Sequence, residues 1–160
     1  MEFKDQAYEA LCSSIHLWRY LAETGDTKDQ WDYYSLLNVG EMCSECALCN
    51  IFCREHNAPT ACTKDGVLCP LIDAVDTIGS KPRYDVCARG HYARWADLQD
   101  RVAFLDIEND EQTILMLKDD IMVHAQSIVN QLMEALGDRP LLSLDEIVDH
   151  TWEQKQEVRP

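Results

Sequence analysis

Eight cysteines are the residues of this 160-residue chain best suited to chemistry: Cys12, Cys43, Cys46, Cys49, Cys53, Cys62, Cys69 and Cys87. Seven of them fall between residues 43 and 87. Thiols clustered in this way pair as disulfides or bind a metal, and the redox compartment decides which. The opening MEFKDQAYEA is polar and acidic and does not read as a secretory leader, so the expected compartment is the reducing cytoplasm. Metal binding is then the expected chemistry. Cys43, Cys46 and Cys49 make two overlapping C-x2-C steps. Such a step brings two sulfurs to one ion and is half of a tetrahedral zinc site. Cys62, Cys69 and Cys87 are the candidates for the other half, and Pro70 stiffens the turn after Cys69. The expected zinc ligands are Cys46, Cys49, Cys69 and Cys87, with Cys62 the main substitute and Cys43, Cys53, His56 or His91 behind it. Zinc there would close a loop region poor in large aliphatic side chains, turning about 10–16 kcal/mol of binding free energy into local folding. Cys12 stands apart, among apolar neighbours, and reads as a small core residue.

Cys43, Cys46, Cys49 and Cys53 also reproduce the C-x2-C-x2-C-x3-C run of bacterial iron–sulfur ferredoxins. Arg54 stands where those proteins carry proline, and the run has no second copy. A single iron–sulfur cluster on Cys43, Cys46, Cys49 and one distant cysteine is the alternative cofactor, and it would colour the protein brown. Other reactive arrangements are missing. There is no G-x-G-x-x-G, no G-x-x-x-x-G-K-[ST] and no H-E-x-x-H. His16, His124 and His150 are scattered and read as satisfied or solvated side chains rather than general bases. The pairs Asp110-Glu111 and Asp119-Asp120 are adjacent on helical stretches, so their carboxylates diverge instead of forming a dyad. Cys53-Arg54-Glu55-His56 gives a thiol a basic neighbour and nothing more. An all-cysteine zinc lacks the open position that catalysis needs. The expectation is a protein that is not an enzyme.

The elements that must hold these residues are helical. Phe3, Ala7, Ala10, Leu11, Ser14, Trp18 and Leu21 recur at three and four, predicting a helix over 3–23 that Gly25 ends. A short aromatic helix or turn follows from Asp29 to Leu37. Its Trp31, Tyr33 and Tyr34 would either pack on the first helix or anchor an interface. Residues 40–88 show no sustained period and read as loops, except for a short helix over Pro70–Ile78. Tyr92, Trp95, Leu98, Val102 and Leu105 form the next stripe. Asp110 is placed to cap a long helix that carries Ile114, Leu117, Ile121, Ile128, Leu132, Met133 and Leu136, with Gly137 and Pro140 after it. Ser143 and Glu146 have capping-box spacing ahead of a last helix to about Gln156. The fold class is mainly α: one domain over 1–160, with N-terminal helices over 1–38, an irregular cysteine-rich zinc-binding insert over 39–88, and acidic helices over 89–160.

Charge points to the partner. Lys plus Arg number 14 and Asp plus Glu 29, a net charge of −15. This disfavours direct contact with nucleic acid or an anionic membrane, and no run of 18 apolar residues would span a bilayer. The segment 34–96 is almost neutral, with seven acids and six bases, whereas 97–120 holds eight acids and two bases. Those acids, Asp97, Asp100, Asp106, Glu108, Asp110, Glu111, Asp119 and Asp120, are the candidate contacts for a basic protein surface. The same charge also serves solubility. Met116, Met122 and Val123 lie off the apolar stripe of the long helix, which would suit a homodimer or an assembly component.

Residues 10–96 resemble short cysteine-rich, zinc-knuckle bacteriophage proteins of unknown function. The resemblance rests on a helix with tryptophan after a polar run (Ser13-Ser-Ile-His-Leu-Trp18), a C-x-L-C knuckle (Cys46-Ala-Leu-Cys49), a Cys-Pro-Leu step (Cys69-Pro70-Leu71), and Cys87 before Tyr92 and Trp95. Two features depart from that pattern. Cys62 is separated from Cys69 by six intervening residues where a closer cysteine is usual, and Cys43 and Cys53 are additional. The resemblance implies phage origin, zinc and the cytoplasm of an infected bacterium, and it implies no activity. The expected role is binding and inhibition of a host protein, DNA-binding or defence-related, with carboxylates spaced like the phosphates of DNA. The alternatives are an iron–sulfur or thiol redox protein and a phage assembly component.

Overall fold

A computed structural model describes residues 2–37, four short strands between 63 and 85, and residues 91–150, with side chains described over 8–37 and 94–150. The described part is mainly helical. Helix α1 (Glu2–Thr24) is followed by a 3-10 turn at Lys28–Gln30, and α2 (His91–Ala103), α3 (Glu111–Leu136) and α4 (residues 144–150) complete the frame. α3 is the central element, and both α1 and α2 pack on it.

The core follows the helical stripes. α1 contributes Leu11, Ile15, Trp18 and Leu21, α3 contributes Ile121, Ile128, Leu132 and Leu136, and Ile147 comes from α4. Burying each of these side chains is worth about 1.5–3 kcal/mol, which is the main force holding the frame together. Trp95 of α2 meets Trp18 edge to face, with ring centroids 5.0 Å apart. Lys28 is buried at 4% exposure. Its ammonium lies 5.5 Å from the Trp18 ring centre and 5.6 Å from that of Trp95, close enough for cation–π attraction to both. Trp31 is buried, and Tyr33 and Tyr34 pack against the same core, so the aromatic segment serves the first helix.

Helix ends are closed by local chemistry. Gly25 ends α1 at φ +69°, its N–H donating to the Leu21 carbonyl at 3.0 Å. Gln99 of α2 donates to the Asp26 carbonyl at 2.9 Å, fixing α2 beside that end. Gly137 ends α3 at φ +63°. Arg139 then donates to the Leu136 and Ala135 carbonyls, so a cation sits at the negative end of the helix. Asp110 occupies the N-cap position of α3, yet its carboxylate does not bond to the helix; it accepts from the Asp106 N–H at 3.1 Å. The Ser143 hydroxyl accepts from the Glu146 N–H at 3.2 Å, as capping-box spacing requires.

The segment after α3 returns to one edge of α1. Tyr8 donates to the Pro140 carbonyl, Arg139 stands 5.1 Å from the Tyr8 ring centre, and His16 Nε2 meets the Leu142 carbonyl at 2.7 Å. His150 pairs with Glu9.

The strands form two antiparallel pairs. β1 (Thr63–Lys64) pairs with β2 (Val67–Leu68), Thr63 facing Leu68. β3 (Asp73–Ile78) pairs with β4 (Lys81–Asp85), Asp73 facing Asp85 and Ile78 facing Lys81, with an irregularity between Ala74 and Asp76. The helix expected over 70–78 is therefore a strand from Asp73 onward. Val75, Thr77 and Ile78 are β-branched and prefer an extended chain, and a neighbouring segment pairs with it. Asp65-Gly66 and Gly79-Ser80, which intervene in sequence, are dipeptides favoured at two-residue hairpin turns.

Candidate interaction surface

The acids singled out from sequence lie on α2, on the turn at 104–110 and on the first turns of α3. Asp97, Asp100, Asp106, Glu108, Glu111, Asp119 and Asp120 are exposed, and Asp110 is half-buried. Two of the eight build the turn. Asp106 accepts from the Glu108 N–H at 3.0 Å and from the Asn109 side chain at 2.8 Å, while the Asp110 N–H donates to the Asp106 carbonyl at 2.8 Å. The Asp110 carbonyl then receives the Ile114 N–H at 2.9 Å, which starts α3. The other six carboxylates extend into solvent, and no ion pair among the described residues neutralises them.

Large apolar side chains share this surface. Phe104 is 90% exposed and Ile107 78%. Leu115 and Met116 follow on the first turns of α3, and Val123 lies seven residues beyond Met116, hence on the same helix face. Sequence patterning separates Met116 and Val123 from the buried stripe correctly. It misses Phe104, Ile107 and Leu115, whose signal was that they fit no stripe at all. Met122, expected off the stripe, is half-buried: a Cβ at Gly25 would stand 3.4 Å from its Cγ.

Cys12, Tyr20, His16 and His150 have structural partners. Cys12 is fully buried, and that burial pushes its thiol pKa up, as an inert core cysteine requires. Tyr20 donates to the Asp26 carboxylate at 2.6 Å, and that bond raises its own pKa. His16 bonds to the Leu142 carbonyl and His150 to Glu9, as described.

The remaining candidate ligands, Cys43, Cys46, Cys49, Cys53, His56, Cys62, Cys69 and Cys87, lie outside the described residues. Among the described residues no group of three or more His, Cys, Asp or Glu is arranged to hold a metal ion. No helix among them is long and apolar enough to cross a membrane. Comparison with protein-family models, with curated proteins and with solved structures finds no match to this chain.

Proposed function

We propose that this is a non-enzymatic binding protein whose acidic helices engage a basic surface on a partner protein. In the phage setting that its sequence pattern implies, the partner is a host protein, DNA-binding or defence-related, which it inhibits. A zinc ion on Cys46, Cys49, Cys69 and Cys87, with Cys62 as the substitute ligand, stiffens the central segment between the helices. The observation that carries the reading is the unneutralised display of Asp97, Asp100, Glu108, Glu111, Asp119 and Asp120 along one connected stretch. Carboxylates left facing water attract a cationic surface at long range.

Metal analysis of anaerobically purified protein and capture from a bacterial host lysate at low and high salt test it together. Zinc near one equivalent, with a captured protein released by salt, is the expected result. Iron with visible absorbance overturns the zinc, and capture indifferent to salt overturns the acidic contact.

A further inference from the structure

We propose that the turn between α2 and α3 is a docking knob for a cationic amphipathic helix, with Phe104 and Ile107 as its apolar anchors. This rests on the reading of the acidic helices as partner-binding, and adds the chemistry of what they bind. A single exposed apolar residue needs no explanation. Here Phe104, Ile107, Leu115 and Met116 lie on one turn and the start of the helix after it, all largely in water. The turn is held by the Asp106 and Asp110 bonds, so the anchors are presented in one arrangement before any partner arrives.

The surroundings select the occupant. Asp100, Asp106, Glu108, Glu111, Asp119 and Asp120 are exposed on the same stretch of chain as the anchors, and Arg101 and Lys118 are the sole bases between residues 97 and 120. The complement is an apolar stripe flanked by Lys and Arg, the pattern of a cationic amphipathic helix. A second copy of this chain would bring acids against acids, and nucleic acid or an anionic bilayer would meet the same repulsion.

The full-length, metal-loaded protein is titrated with three labelled synthetic helices. The first carries leucines on one face and lysines on the other; the second has alanine for leucine; the third has glutamine for lysine. The leucine–lysine helix should bind tightest. The double variant Phe104→Ala/Ile107→Ala should weaken it about tenfold or more and leave the alanine–lysine helix unchanged. Asp119→Asn/Asp120→Asn should weaken both lysine helices, and Leu36→Ala, an exposed apolar residue elsewhere, should change nothing. Far-UV circular dichroism checks that the variants keep the fold, as substitutions at such exposed positions should.

If the double variant binds like the parent while lysine helices still bind and respond to salt, the knob is wrong and the acidic reading survives. If neither lysine helix binds, both fall. Equal affinity for the glutamine helix overturns the cationic requirement. Sedimentation showing a dimer that Phe104→Ala dissociates makes the occupant a second copy and overturns the proposal.

Discussion

Cys12 shows how burial decides what a reactive side chain does. Its thiol has no exposed surface, and burial raises its pKa. It should resist alkylation by iodoacetamide in the native protein and react on denaturation, read by mass spectrometry of its peptide. The folded state holds the thiol proton beyond the pH at which an unfolded cysteine, with a pKa of about 8.5, releases it. This contribution to stability is complete below that pH and is lost as pH rises through the folded pKa. Urea stability should therefore decline on the alkaline side, and Cys12→Ala should make that decline shallower. Labelling of native Cys12 at neutral pH would contradict its burial. At this scale sequence gave uneven returns. Ser143 reads correctly as a cap because its hydroxyl has one nearby amide to serve. Asp110 stands at the right position, but the Asp106 N–H takes its carboxylate, a competition that spacing alone does not reveal.

Among the elements, α3 carries the frame, because α1 and α2 both pack on it. Leu132 is fully buried on its face, and Leu132→Ala should cost about 2–5 kcal/mol, measured by urea denaturation. A cost below about 1 kcal/mol would mean that the α1–α3 contact is not the core. The helices were legible because their apolar residues repeat at helical spacing over several turns, and both Gly25 and Gly137 mark ends with positive φ. β3 was not legible: Pro70 and Gly79 mimic helix boundaries, and the extended form depends on pairing with β4, which lies later in the sequence. The acidic part of the candidate surface was readable from charge counts. Its apolar part was not, because exposure of Phe104 and Ile107 depends on a turn that points them outward.

For the whole molecule, a frame whose described core comes from the helices has a measurable consequence. The core of Leu11, Ile15, Trp18, Ile121, Ile128 and Leu132 is built by the apolar side chains of α1 and α3 themselves. Chelation of a bound metal should therefore leave most of the far-UV helical signal in place. Collapse of that signal on chelation would show that the ion organises the helices as well. A last consequence concerns the edge of α1 where Tyr8, Cys12 and His16 repeat at four-residue intervals and residues 139–142 are fastened. A helix beginning is ordinarily the first part to fray. From Tyr8 to His16 this helix is latched by residues 139–142, so the amides of that stretch should not open in isolation. Their hydrogen exchange should follow release of the segment after α3, and the first and last described helices should melt as one cooperative unit.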